Sequence, residues 1–414
     1  MRNSHNPSLK PIYRSRLSIT GICSNLSIAV AVGLAIVSLG PWFVWGRSFH
    51  VIFAALFMML RLPLIKRHYS RRELWVLYSL VPFAFFYSKF VLDPLGQSLQ
   101  RLLGLVMPIV FPILFSHAER QRFLRWLINT FSIMLLVSII GFAIRTFIVE
   151  LPHSEIIHPN PFYPPFKNYY FFTVLHDFGP LTRFTSMITE PGHVGMTAAL
   201  LLFVNGYSWR KWQNVVMSIA MFWSMSLAGF VLFALGLFLY FILTRKSIIH
   251  GMIRVFIPLV AVISIGIIFY SPDNNDIVSL YILSRLTVDE NKGISGNNRN
   301  TASFNREFDR FLESDDMLQG LSSEQLKEKF SGTANSSYKV FIMTYGMLSF
   351  LCLLLFMGVN LTSYPSKLGV GFTLLILASF VQRPYFLWEI QSFTYLCFLP
   401  LCHQAKLALK GAKQ

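Results

Sequence analysis

Ten apolar runs, most of them long enough to cross a bilayer, leave this chain little choice of fold. They fall at 23–45, 49–65, 74–91, 102–115, 126–142, 193–207, 212–243, 255–270, 341–359 and 368–401, each bounded by charges or loop residues. A hydrocarbon core about 30 Å thick takes roughly 20 helical residues. Two runs exceed a single crossing. The stretch 212–243 would extend about 48 Å as one helix, and its break is expected at Ser224-Met225-Ser226 through Gly229, a weak helix segment between strongly apolar halves. The stretch 368–401 is interrupted by Gln382-Arg383-Pro384, which reads as a turn. Splitting both gives about twelve spans. Composition agrees: 54% of residues are hydrophobic and only 13% charged, outside the range of water-soluble domains. The expected fold is an all-α polytopic membrane protein, residues 1–414 forming a single transmembrane domain of about 12 transmembrane helices.

The net charge of +17 would suggest nucleic acid as the partner of a soluble protein. In a membrane protein the question is how the charge divides. Twelve spans place Arg2, Lys10, Arg14 and Arg16 on one side, with Lys66–Arg72, Arg120–Arg125, Arg210, Lys211, Arg245, Lys246, Arg254, Lys367 and the lysines after residue 405. Only Glu73 and Glu119 are acidic there. By the positive-inside rule that side is cytoplasmic and holds both termini. A single pass over 212–243 would put Arg245 and Lys246 on the wrong side. Two large loops, 145–190 and 271–337, then face outward, away from the cytoplasm. The first apolar run is too long for a cleaved signal and should stay as a span. The cysteines, at 23, 352, 397 and 402, all lie in or beside apolar runs, so a disulfide framework is not expected.

The strongest local feature is Arg183-Phe-Thr-Ser186-Met-Ile-Thr-Glu190-Pro191-Gly192-His193-Val-Gly195, at the outer mouth of the sixth span. Pro191 suits a first helical turn. Gly192 and Gly195 would let backbone amides approach a ligand, and Arg183 adds a planar donor fork, a combination suited to phosphate or pyrophosphate. Glu190 is placed to act as a base toward a hydroxyl, and His193 to share or orient that proton. The plainer alternative, an interfacial Arg183–Glu190 pair beside a snorkelling histidine, is equally compatible with the residues.

In the second loop, Ser284-Arg285 through Gly296-Asn-Asn-Arg299, with Arg306 and Arg310, offers arginines near Asn and Gly that suit phosphate and sugar hydroxyls. For Arg306 and Arg310, pairing with the nearby acidic residues is the favoured reading. Phe308, Phe311 and Leu312 suggest a short amphipathic helix lying on the membrane surface or on the bundle. Ser337-Tyr338-Lys339 enters the tenth span, and a lysine there faces a polar cavity or snorkels. Glu389, inside the last run, should have a partner. Metal signals are poor: His153, Glu155 and His158 lie close together but in a Pro-rich loop with nothing to converge them. No nucleotide-binding fingerprint is found. No metal or other cofactor is expected.

Arg183–Gly195, Ser284–Arg299 and Ser337-Tyr338-Lys339 followed by Tyr345-Gly346 together resemble the Wzy-type O-antigen and exopolysaccharide repeat-unit polymerases, as does the many-span layout with two large loops. Arg285 and Gly296 carry the spacing of arginine, ten residues and glycine found in that family's loops, whereas Arg183 is followed by Gly192 and Gly195. The resemblance implies a metal-independent, membrane-embedded glycosyltransferase. It would move a growing glycan from one undecaprenyl pyrophosphate carrier onto a lipid-linked repeat unit, at the periplasmic face. The catalytic residues implied are Glu190, Arg183, Arg285 and His193. Arg299, Tyr338, Lys339, Gly192, Gly195 and Ser186 would bind substrate. Donor and acceptor glycolipids and the bilayer are the partners, a chain-length regulator protein is a further one, and nucleic acid is not. The related O-antigen ligase is one alternative. It would be expected to carry a histidine in its second loop, and 271–337 has none. A flippase or transporter of anionic glycolipid is the other. It would set charges along the bundle midplane, and no internal repeat of the transporter kind is found.

Overall fold

A computed structural model describes residues 19–45, 49–64, 69–159, 165–170, 173–176, 183–244, 288–289, 293–294, 302–330, 337–382 and 385–411. The chain is mostly helical. Four helices are long and apolar enough to cross a membrane, at Thr20–Val37, His117–Phe147, Leu227–Thr244 and Tyr338–Ser363, and shorter apolar helices cover Val51–Leu64, Pro191–Asn205 and Lys367–Phe380. Every apolar run falls on helix except 255–270, which lies outside the described residues.

The helices are α1 (Ile19–Val37), α2 (Phe49–Arg61), α3 (Arg71–Ser88), α4 (Leu95–Arg101), α5 (Met107–Ile113), α6 (His117–Phe147), α7 (Pro191–Asn205), α8 (Trp212–Trp223) and α9 (Leu227–Thr244). They continue with α10 (Ala302–Leu312), α11 (Ser323–Phe330), α12 (Tyr338–Ser363), α13 (Lys367–Phe380) and α14 (Glu389–Gly411). Both expected breaks are present. The first lies at Ser224–Ser226, where Met225 turns left-handed (φ 45°). The run 102–115 differs from a simple span. A π-helical segment, Leu102–Val106, joins α4 to α5, and Pro108 and Pro112 leave backbone carbonyls without helical donors.

Helix α7 sits at the centre, packed by α8, α9 and α13. Its residues from His193 to Phe203 are all buried, as a helix apolar on every face requires. At the opposite end from the α7 N-terminus, Glu73 and Glu119 each do two things. Glu73 closes a capping box with Ser70 and pairs with Arg120 at 3.3 Å; Glu119 closes one with Ser116 and pairs with Arg61 at 2.6 Å. Lone acids among basic residues are here helix caps that also hold α2, α3 and α6 together.

Two features depart from the sequence reading of the loops. Helix α6 runs to Phe147, so Arg145 belongs to its last turn, where it pairs with Glu150 at 3.2 Å. Beyond it lies a small antiparallel sheet of β1 (Ser154–Ile156), β2 (Phe166–Asn168) and β3 (Val174–His176), in that order. It places strands in a chain expected to be all-α. The 41–45 segment holds this loop: Trp42 N–H donates to Met187 carbonyl at 3.0 Å, and Trp45 packs on Phe166 and His158. A second, two-stranded pair joins β4 (Val288–Asp289) to β5 (Gly293–Ile294).

The amphipathic helix expected around Phe308 is α10. Its Phe304, Phe308 and Phe311 bury against Leu321, Ile342 and Met343, so it lies on the bundle. Beneath it, α12 is broken at Gly346 (φ 82°, ψ 162°). The segment 318–321 enters the break: Leu348 N–H donates to Leu318 carbonyl at 3.1 Å, and Leu321 N–H to Met343 carbonyl at 2.8 Å. Backbone groups freed by the kink are thereby satisfied by protein, which a broken helix in a membrane requires.

Candidate functional site

The run singled out in the sequence folds into one place. Glu190 is the N-cap of α7 and Pro191 its first residue, as its fixed φ favours. His193, one turn in, is buried, with Nε2 3.7 Å from Glu190 Oε2 and its ring edge-on to Trp388, centroids 4.6 Å apart. Trp388 immediately precedes α14, so Glu389, in that helix's first turn and 1% exposed, comes to the same end of the bundle. The N-terminus of α14 is met by Ser38, whose Oγ accepts from Ile390 N–H at 3.2 Å.

A third helix starts there. Ser226 caps α9 by accepting from Gly229 N–H at 3.2 Å, and its Oγ would lie 3.9 Å from a Cβ on Gly192. Helices α7, α9 and α14 therefore present their N-termini, the positive ends of their dipoles, around Glu190 and His193. A helix N-terminus is a place that receives negative charge, and three of them converge on this end of the bundle.

Two members of the run serve the scaffold. Arg183 donates from Nε to Ser224 carbonyl (3.0 Å) and from Nη2 to Met225 carbonyl (2.7 Å), closing the last turn of α8. Phe184 N–H adds a bond to Trp223 carbonyl. Gly195 lets helices touch: a Cβ there would fall 2.7 Å from Ser224 Oγ, and one on Gly229 2.9 Å from the Gly195 carbonyl carbon. This is the small-residue contact of close-packed membrane helices. Gly192 alone of the two keeps open space. Ser186 is buried with a left-handed backbone (φ 56°), and its carbonyl accepts from Val174 N–H, tying β3 to the site.

The other candidates lie elsewhere. Tyr338 and Lys339 begin α12. Lys339 Nζ donates to Asn305 Oδ1 at 2.9 Å and sits 4.8 Å above the Phe308 ring, so it holds α10. Arg310 pairs with Glu307 at 2.6 Å and is 74% exposed, the solvated pair expected. Arg285 and Arg299 lie outside the described residues. His153 comes near Glu150, and among the described residues no three His, Cys, Asp or Glu side chains converge as a metal set.

A buried ionic cluster went unread in the sequence. Asp93, between α3 and α4, meets Arg101 at 2.5 Å and Lys89 at 3.5 Å, and accepts from the backbone and hydroxyl of Ser323 at 2.9 and 2.8 Å. Lys89, left-handed at the end of α3, also donates to Leu321 carbonyl. The cluster pins α11 and the 318–321 insert to the α3–α4 turn. The spacing of Lys89 and Asp93 at the end of an apolar run was the available signal. Burial raises the Asp93 carboxyl, and the Ser323 and Arg101 bonds outweigh it, holding it to about 2. The sign follows. A depressed pKa contributes stability above the ordinary carboxylate range, and that stability is lost only as pH falls from about 4 through 2. Asp93→Asn should lower stability by about 3–5 kcal/mol, because two buried cations lose their counterion. Thermal unfolding at neutral pH checks it.

No protein-family model, curated protein or solved structure matches the chain.

Proposed function

We propose that this protein is a polysaccharide polymerase, a metal-independent glycosyltransferase of the bacterial inner membrane that joins undecaprenyl-pyrophosphate-linked repeat units at the periplasmic face. The observation that carries this reading is the Glu190–His193 pair at the start of α7, with the starts of α9 and α14 beside it. That place offers an anion-favouring field beside a proton acceptor, and glycosyl transfer from a pyrophosphate carrier needs both. The acceptor hydroxyl oxygen attacks the anomeric carbon, and the bond from that carbon to the pyrophosphate oxygen breaks. Glu190 takes the hydroxyl proton, with His193 oriented beside it. The pyrophosphate leaves with the bonding pair and meets the helix N-termini. Arg183, which places two of its donors on the carbonyls that end α8, contributes positive charge there, while Arg285 and Arg299 supply donors from the second loop.

The reading requires about twelve spans, cytoplasmic termini, and loops 145–190 and 271–337 outside. Reporter fusions at Asn160 and Gly320 should behave as periplasmic and one at Lys246 as cytoplasmic. A cytoplasmic signal at Gly320 would remove the loop, and its arginines, from the site. Arg285→Ala and Arg299→Ala should shorten or abolish glycan chains at unchanged protein level. Arg285→Lys should restore little, since a point charge does not replace a planar fork on pyrophosphate. Normal chain-length distributions in both alanine variants would take this loop out of the mechanism.

A further inference from the structure

Helices α1 and α6 pack side by side, and near their starts the Ser24 hydroxyl donates to Glu119 at 2.6 Å. Further along, a groove of about 400 Å³ runs between them. It follows eight residues of each helix, about 12 Å. Ala29, Val32 and Ile36 form one wall and Trp126, Thr130 and Met134 the other. Phe53 of α2 packs onto Gly33, where a Cβ would fall 2.6 Å from its ring. The amide in the wall, Asn129, accepts from Gln213 of α8 at 2.8 Å, so its oxygen is satisfied within the protein. Ala29 and Thr130 are exposed, which leaves the groove open at the surface of the bundle.

At one end the chemistry changes. Asn25 precedes Ala29 by four residues, Arg122 precedes Trp126 by four and Arg125 precedes Asn129 by four. Helical periodicity therefore carries the same faces one turn further. Arg122 donates to Asn25 Oδ1 and so bridges the two helices across the end of the groove. That bond uses one of a guanidinium's five donors, and Arg125 beside it is exposed. Glu119, a turn nearer the helix start, leaves this charge standing, because its carboxylate already pairs with Arg61 at 2.6 Å. An apolar slot that ends in two arginines fits an amphiphile, with a hydrocarbon chain in the slot and an anionic phosphate at its end. We propose that α1 and α6 bind an acidic phospholipid, one acyl chain in the groove and its phosphate on Arg122 and Arg125. On the topology given above this is the cytoplasmic end, where acidic headgroups attract basic side chains. The site goes beyond the polymerase reading and does not rest on it.

The test is native mass spectrometry of the full chain in detergent, titrated with phosphatidylglycerol or with phosphatidylcholine of the same chains. The parent should bind one phosphatidylglycerol, and phosphatidylcholine about tenfold more weakly. Replacing Arg122 and Arg125 together with alanine should weaken phosphatidylglycerol about tenfold and leave phosphatidylcholine unchanged. Arg310→Ala, which removes an exposed charge on α10, should change neither. Ala29→Trp fills the slot and should weaken both lipids. Equal binding of the two lipids by the parent, or parental binding by Ala29→Trp, would overturn the proposal. Displacement of phosphatidylglycerol by an equal amount of undecaprenyl phosphate would also overturn it and assign the groove to the carrier lipid. If Ala29→Trp fails to fold, phosphatidylglycerol bearing a diazirine in its acyl chain is photolysed on the unmodified protein instead. Labels on Trp126 or Met134 support the site, and labels only elsewhere contradict it.

Discussion

Replacing Gly346 with valine should leave little folded protein. The residue breaks α12 at φ 82°, where an L side chain is strained whatever the space around it. Space is also lacking: a Cβ would fall on the Leu318 carbonyl oxygen and 2.5 Å from the Gln319 carbonyl carbon. Those are backbone atoms of the 318–321 insert, itself held by hydrogen bonds to α12 and by Lys89, and they cannot step aside. Strain, collision and loss of the insert act together, so a destabilisation above about 4 kcal/mol is expected, the range reserved for named structural failures. Gly358→Ala is the control. The same helix leaves open space there, and alanine should be neutral or slightly stabilising. Thermal midpoints of the two purified variants, compared with the parent, give the result. A stable Gly346→Val protein would mean that the insert does not occupy the break.

The second large effect is on chemistry alone. Glu190→Gln should reduce glycan transfer by about 10²–10⁴-fold, the usual contribution of a positioned acid–base group. Lipid-linked substrate should remain bound and the thermal midpoint should hold. The geometry makes this separation possible, because Glu190 stands at the α7 N-cap without a side-chain capping bond, so an amide of the same shape leaves the helix start intact. Arg183→Ala should behave differently. It strips two donors from the carbonyls that end α8, so it should lose stability together with activity. Transfer at the parental rate by Glu190→Gln would make Glu190 a structural neighbour of His193 and move the base to His193 or Glu389.

Helix placement was legible because lipid leaves a strong mark on sequence: long apolar runs, and breaks at Ser224–Ser226 and at residue 382 that nothing else would tolerate. The local meaning of the 183–195 run was legible in part. Pro191 announced the helix start, but glycine has two uses, and the sequence did not distinguish ligand approach at Gly192 from helix contact at Gly195. Arginine has the same ambiguity, since carbonyls distant in sequence, such as those of Ser224 and Met225, compete with a ligand for its donors. The three-stranded sheet left no trace among its prolines and aromatics, because strands of three residues are too short to show a period. The Asp93 cluster joins residues 230 positions apart, and the α12 break is completed by a segment from another loop. Such long-range pairings are invisible to any local pattern.

The most direct test of the central claim is chain growth by the purified protein itself. Reconstituted in vesicles with a defined undecaprenyl-pyrophosphate-linked oligosaccharide and a chelator, without nucleotide, it should yield a ladder of products spaced by one repeat unit. Glu190→Gln in the same vesicles should leave the starting material unchanged. Movement of the glycolipid across the bilayer without any ladder would contradict the account and make the protein a transporter.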